Sequence, residues 1–177
     1  RSFKELKNAN FWRDYIRNLS ETEDKVSLYR RYDWEDIHIG GGAVPIKTKD
    51  GWLLIYHGVE LTKKNVLQKT FSNWVYQIEG KAQKLRNRRI PLVYHAGAAL
   101  LDLKKPETEI TRLKNPLFSP KYKWEKQGDI NNVVFPEGAV VDKNKKLKIY
   151  YGCSDSRIGL AEMDLNELLQ KLKSEKI

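Results

Sequence analysis

Apolar positions recur with two different periods along this chain, and each change of period marks a new element. Near the start, Phe3, Leu6, Trp12, Tyr15, Ile16 and Leu19 share one face at helical spacing, so residues 3–19 are predicted to form a helix. Ser20 to Asp24 is a polar break, and Val26 to Tyr32 reads as a strand. The stretch Ile39 to Val59 then runs through three glycines, a short mixed strand from Ala43 to Thr48, a turn at Lys49-Asp50-Gly51, and an almost unbroken apolar run from Trp52 to Tyr56. Asp and Gly tolerate the positive φ of a tight hairpin. The apolar run has the character of a strand covered on both faces.

Residues 62–79 return to the helical period, with Leu67, Phe71, Trp74, Val75 and Ile78 in register and Gly80 as a stop. Strand patterns resume at Ile90–Tyr94 and Ala98–Leu103, followed by a short one at Ile110–Leu113. Asn132–Phe135 reads as a buried strand closed by Pro136. Ala139–Val141 and Leu147–Tyr151 form a hairpin around Lys143-Asn144, and Ile158–Ala161 is the last strand. Asp164, spaced from Glu167 as in a capping box, starts a terminal helix over 164–175 whose buried stripe is Leu165, Leu168, Leu169 and Leu172.

The hairpin pattern repeats. Ile46–Gly58 superposes on Val140–Gly152 at an offset of 94, with Leu53 on Leu147, Ile55 on Ile149 and Tyr56 on Tyr150; the apolar run Gly97–Leu103 falls near the midpoint. A period of roughly 40–50 residues built of hairpins is the signature of propeller blades. The chain of 177 residues holds three to four such units, so it is expected to be the carboxy-terminal portion of a single β-propeller domain.

Charge adds one feature. Of the net +10, eight basic residues against the single acid Glu79 lie in 61–90, so residues 62–89 form a helical, basic insert. A local cluster of this kind fits a solvated face or a subunit contact better than a nucleic-acid footprint. The lone Cys153 excludes an intrachain disulfide and suits a reducing compartment. No run approaches the roughly 18 apolar residues of a membrane span, and a cytoplasmic protein is expected. His38, His57 and His95 with Asp36 match no metal-ligand spacing, and Cys153 sits among apolar residues that disfavour a thiolate nucleophile. Trp34, Trp52, Tyr56, Tyr94, Tyr150 and Tyr151 near strand ends suit either a core or the lining of a polar-ligand pocket. Lys47 and His57 stand at opposite ends of the organising hairpin.

Three segments together resemble glycoside hydrolase family 130, the mannoside phosphorylases. They are Gly40-Gly-Gly42 through Pro45-Ile-Lys-Thr48 to Gly51-Trp-Leu-Leu-Ile-Tyr-His-Gly-Val59; Tyr94 with Gly97–Leu103 and Pro106; and Asn132-Val-Val-Phe-Pro136, Gly138, Tyr150-Tyr-Gly152, Asp155 and Gly159-Leu-Ala161. The resemblance implies an all-β fold, a five-bladed β-propeller of which this chain covers roughly the last three blades plus helical additions. It also implies cleavage of β-mannosides by inorganic phosphate, with inversion, to α-mannose 1-phosphate. No cofactor or metal is implied, because phosphate is itself the co-substrate. On matching positions, Lys47 and Tyr94, with His57 ranked below them, fall to phosphate, and Asn132 and Asp155 to the mannosyl unit. An ammonium or a phenol suits phosphate, and an amide with a carboxylate suits sugar hydroxyls.

The sequence also departs from the family pattern. No Glu-Asp-Pro-Arg-like motif is present, so the family's general-acid aspartate and its phosphate-holding arginines are expected upstream. Val44-Pro45 replaces Pro-Pro, Asn131 precedes Asn132 where proline is usual, and the 61–90 insert is long. The insert is expected to join subunits of a homo-oligomer, because Phe71 and Trp74 need an apolar partner. Other functions remain open to the sequence: a hydrolase of the same family, a non-catalytic carbohydrate-binding propeller, and a basic nucleic-acid module, which ranks last.

Overall fold

The structure, a computed structural model, describes residues 7–18, 27–62 and 92–175. The elements are α1 (Ala9–Arg17), β1 (His38–Gly40), β2 (Ile46–Lys47), β3 (Trp52–Leu61), β4 (Leu92–Leu101), β5 (Glu109–Arg112), α2 (Lys123–Lys126), β6 (Val134–Val141), β7 (Lys146–Cys153), β8 (Arg157–Asp164) and α3 (Leu165–Ser174). The helix and basic insert expected over 62–89 fall, apart from Thr62, outside the described residues.

Two antiparallel meanders result. The first has the order β1-β3-β4-β5, with β2 pairing the opposite end of β3 from β1; the second is β6-β7-β8. Their facing sides form one core, in which Leu53 and Ile55 of β3 and Ala98 and Leu100 of β4 meet Leu147 and Ile149 of β7. Helix α3 closes this core with Leu165, Leu168, Leu169 and Leu172, each buried. Burying a leucine stabilises by about 1.5–3 kcal/mol, so this stripe fixes the helix to both sheets. The Asp164 carboxylate accepts from the backbone N–H of Asn166 (2.8 Å) and Glu167 (3.3 Å), which caps the helix as its spacing predicts.

Several expectations change. Residues 27–32 form no strand, and the two strands expected at 90–94 and 98–103 are the single β4. Pro136 does not end a strand. It lies within β6, an edge strand where its missing N–H costs no ladder bond, and a register shift between Pro136 and Gly138 absorbs the irregularity. The described residues make two sheets rather than three blades, and no closed ring forms among them.

The offset of 94 also needs correcting. The Tyr56 hydroxyl donates to Glu35 at 2.6 Å, and the Tyr151 hydroxyl donates to Glu125 at 2.7 Å. Both glutamates are buried. Each ends a Tyr-x-Trp-Glu motif, Tyr32–Glu35 and Tyr122–Glu125, folded as one helical turn; the Glu carboxylate also accepts backbone N–H groups at the start of its turn. Equivalent tyrosines are therefore Tyr56 and Tyr151, at an offset of 95, while Tyr150 is exposed. A one-residue slip moves a strand's whole pattern to the other face. The offset of 94 pairs Leu53 with Leu147 and Ile55 with Ile149, which meet in the shared core rather than play the same part in each sheet.

The two sheets differ in what surrounds this Glu–Tyr pair. In the first, Arg112 is buried and donates to both Glu35 oxygens (3.1 and 3.2 Å) and to Glu109 (2.6 Å), which Arg31 also meets at 2.8 Å. Trp34 lies flat over Gly58 and Gly97, where an added Cβ would sit 2.6 Å from the indole. In the second, Cys153 occupies the place of Gly58, and Trp124 turns outward to stack on Tyr122 at 4.8 Å.

Burial, reinforced by the neighbouring glutamate, holds both Tyr56 and Tyr151 well above the usual phenol range. A raised folded pKa leaves stability intact below the unfolded value of about 10 and removes it as pH climbs above that value. We expect the unfolding free energy to fall above about pH 10, by up to about 1.4 kcal/mol per tyrosine per pH unit, and the melting temperature with it. Thermal melts of the wild type against a Tyr56→Phe, Tyr151→Phe double variant check this: the variant melts lower at pH 7 and shows a flatter alkaline slope. Equal slopes would remove the tyrosines as the cause.

Candidate ligand site at the junction of the two sheets

Strands β3 and β4 carry one row of polar and aromatic groups on the face that meets β6. His57 of β3 and Tyr94 of β4 are diagonal neighbours in the ladder, because His57 pairs with Ala96 and Tyr94 with Val59. Their rings stack with centroids 6.1 Å apart, and Phe135 of β6 closes on His57 at 4.2 Å. The Tyr94 N–H donates to the Asn132 carbonyl at 2.9 Å, and a parallel bridge from Tyr94 to Val133 joins the two sheets here. Asp155 faces the same phenol. Burial pushes the Tyr94 hydroxyl up, and the Asp155 charge adds to the shift, so Tyr94 remains a proton donor at neutral pH.

The backbone around these groups is unusual. Asn132, Ser154 and Asp155 have φ of 59°, 48° and 52°, in the left-handed region that non-glycine residues seldom adopt. Such conformations concentrate at functional sites, where the surrounding structure over-determines them. Ser154 is fully buried, and its hydroxyl is the one buried side-chain polar atom without a partner among the described residues. Its N–H donates to the Val133 carbonyl, which anchors the turn that presents Asp155.

His38, assigned no role from the sequence, joins this cluster. It pairs with Val59 on β1, and its ring centroid is 5.6 Å from that of His57. Residue 40 explains the arrangement. A Cβ there would sit 2.4 Å from His57 Cε1, 2.7 Å from His57 Nε2 and 3.0 Å from His38 Nε2, so only glycine leaves room for both rings. His57 Nδ1 lies 2.9 Å from the Gly41 carbonyl, which fixes the tautomer with its proton on Nδ1 and leaves Nε2 bare. Burial lowers the His57 pKa, outweighing the Gly41 hydrogen bond, and the charge of His38 lowers it further. The third histidine is elsewhere: His95 lies on the other face of β4, between Ser119 (2.8 Å) and Glu60 (3.2 Å).

Lys47 does not join the group. It pairs with Trp52 at the start of β3, whereas Tyr94 pairs with Val59 near its end. Seven residues of extended chain separate these positions by roughly 23 Å, too far for one phosphate to touch both. The Lys47 ammonium instead sits 5.9 Å from the Trp52 ring, in solvent. The structure thus brings together His57, Tyr94, Asn132 and Asp155, adds His38 and Phe135, and leaves Lys47 out. No group of three or more metal-ligating side chains occurs among the described residues, and no helix among them is long and apolar enough to cross a membrane.

Stacked antiparallel meanders, each tied by a buried Glu–Tyr pair and meeting at a polar, aromatic junction, define a mostly-β protein of two similar sheets with a candidate site where they meet. The family model described as β-1,4-mannooligosaccharide phosphorylase matches residues 11–174, and the chain belongs to glycoside hydrolase family 130. A 1,2-β-oligomannan phosphorylase of Thermoanaerobacter sp. is 36% identical over 76% of this chain and 36% of its own length. A β-1,4-mannooligosaccharide phosphorylase of Ruminococcus albus is 31% identical over 80% of this chain and 35% of its own length. Among solved structures, the β-1,2-mannobiose phosphorylase of Listeria innocua in complex with β-1,2-mannobiose superposes with a TM-score of 0.60 at 32% identity, covering 82% of this chain and 33% of that one. The chain thus spans about a third of the length of these relatives.

Proposed function

We propose that this chain forms part of the substrate site of an inverting β-mannoside phosphorylase, and that its two sheets are blades of a five-bladed propeller. The observation that carries the reading is the family match across residues 11–174; the cluster at the sheet junction supplies fitting chemistry. His38, His57 and Tyr94 face the phosphate. The Tyr94 hydroxyl, kept protonated by burial, donates a hydrogen bond. Asn132 and Asp155 hold the mannosyl hydroxyls, with the carboxylate as acceptor and the amide as both donor and acceptor.

Phosphate oxygen attacks C1 from the face opposite the leaving group. The C1–O bond to the next sugar breaks with inversion, and an acid outside these 177 residues protonates the departing oxygen. The products are α-mannose 1-phosphate and a shortened saccharide. Phosphate is the nucleophile, so the step needs neither a protein nucleophile nor a cofactor. Lys47 stays outside the site.

The test is release of mannose 1-phosphate from β-1,2- and β-1,4-mannobiose, with and without phosphate, in the chain and in the longer protein that supplies the acid. Product that requires phosphate supports the reading; free mannose formed without phosphate moves it to hydrolysis. In the same assay, Lys47→Ala leaves the KM for phosphate within about twofold, the signature of a residue that does not bind it. A tenfold rise would return Lys47 to the phosphate site.

A further inference from the structure

The two sheets stack in a relation that their own repeat extends beyond both ends. The first sheet turns Ile55, Ala96 and Ala98 toward the second, which receives them on Val134, Ile149 and Tyr151. The first sheet has the same three positions. Tyr56 corresponds to Tyr151, and Leu54 and Ile149 each stand two residues before that tyrosine. Ile39 pairs with Gly58 as Val134 pairs with Cys153. Ile39, Leu54 and Tyr56 therefore form the receiving surface of the first sheet, and with Leu28 and Gly41 they line a cavity of about 200 Å³.

The outer face of the second sheet follows from the same register. Tyr150 pairs with Leu160 as Ile55 pairs with Ala98, and Gly152 with Ile158 as His57 with Ala96. Tyr150, Leu160 and Ile158 thus stand where the first sheet presents Ile55, Ala98 and Ala96, yet they are 44%, 49% and 77% exposed. Large apolar groups gathered on one exposed face mark an interaction surface. Backbone pairing points the same way. The Ala96 N–H donates to the Phe118 carbonyl at 3.0 Å, and Phe118 stands four residues before Tyr122 as Leu28 stands before Tyr32. Leu28, at the cavity, is then the counterpart for Ile158 on β8, an edge strand among the described residues.

We propose that a second copy of this chain docks head to tail, the outer face of the second sheet of one copy filling the cavity on the first sheet of the next. The occupant is a second copy because the contact repeats the sheet–sheet interface that the chain already makes within itself. It rests on that repeat alone, not on the phosphorylase reading. Lys148 and Glu162, joined at 3.2 Å, take the places of Leu53 and Leu100, so the contact centres on Tyr150, Ile158 and Leu160. The two surfaces differ, which makes the contact heterologous: association runs on past the dimer unless a ring closes.

The experiment is sedimentation velocity of the 177-residue chain over a range of concentrations, on the wild type and two variants. Ile158→Lys with Leu160→Lys charges the outer face. Gly41→Arg enters the cavity, and a Cβ at residue 41 meets no atom within 4 Å. Circular dichroism and thermal melts confirm that each variant keeps its fold. We expect the wild type to gain mass with concentration and each variant to associate at least about tenfold more weakly, because a charge must be buried in the contact. An equimolar mixture of the variants forms a heterodimer and stops there, since each keeps the face that the other lacks. A monomeric wild type, association that survives both substitutions, or a mixture that stays monomeric would overturn the pairing. Loss in one variant alone would mean an isologous contact and overturn it too. If the wild type is monomeric and the same substitutions lower the melting temperature of the longer protein, the occupant is a sheet of that protein and not a second copy.

Discussion

Glu35→Ala lowers the unfolding free energy by about 3–5 kcal/mol, the range for removing one partner of a buried ion pair. The loss comes from what remains behind. Arg112 is 2% exposed and directs one guanidinium nitrogen to both Glu35 oxygens. Without the carboxylate, that nitrogen loses both of its acceptors. The Tyr56 hydroxyl and the backbone N–H groups of Arg31 and Tyr32 lose their acceptor in the same step. Glu125→Ala in the second sheet strands a phenol and two backbone amides but no cation. Its cost is about 1–3 kcal/mol. Urea unfolding of both variants measures the difference between them, which isolates the stranded guanidinium. Equal losses would mean that Arg112 finds another partner, with Glu109 the nearest candidate.

The second large effect concerns function. Asp155→Asn in the active, longer protein lowers kcat/KM for the mannoside about 10–150-fold, the equivalent of a hydrogen bond to a charged acceptor worth about 1.5–3 kcal/mol. Asn tolerates the left-handed φ of 52° at this position, so the turn keeps its shape and only the charge is lost. The KM for phosphate stays unchanged, as the proposed place of this carboxylate beside the mannosyl hydroxyls requires. Steady-state kinetics with each substrate varied in turn separates the two. A loss below about threefold in the mannoside term, or a matching change in the phosphate term, would take Asp155 out of the sugar site.

Much of this fold was legible because its strands are covered on both sides. The Trp52–Tyr56 run and the stripe Leu165, Leu168, Leu169 and Leu172 are patterns that burial explains; the stripe and Leu53, Ile55 and Tyr56 are buried, while Trp52 and Leu54 are half-buried. Residues 26–32 misled for the opposite reason: aromatic and β-branched composition suits a strand, but no partner strand exists for the described part of that segment. The repeat was visible, yet its register was not, because residues that pack against each other and residues that correspond both look apolar. The signal that separates them, Tyr32-Asp-Trp-Glu35 against Tyr122-Lys-Trp-Glu125, is polar and lies outside the strands.

At the site, His57, Tyr94, Asn132 and Asp155 came from motif positions, and the structure gathers them. Lys47 shares a motif with His57 but is carried away by extended chain, since a hairpin that brings two sequence segments together also separates its own ends. His38 was in view as a histidine, but its relation to His57 depends on β1 pairing with β3, a contact across the glycine loop that no local pattern encodes.

Cys153, where the second sheet replaces a glycine of the first, turns one sulfur atom into a clock. The thiol is fully buried, burial together with the Glu125 charge holds its pKa above the ordinary thiol value, and the Tyr151 carbonyl lies 3.9 Å from the sulfur. Alkylating reagents attack the thiolate, so in the native protein this cysteine reacts only while its surroundings are open. Its labelling rate under native conditions therefore counts openings of the second sheet, just as amide exchange counts broken backbone hydrogen bonds. As the chain's lone sulfhydryl, it needs no engineering to serve as that reporter.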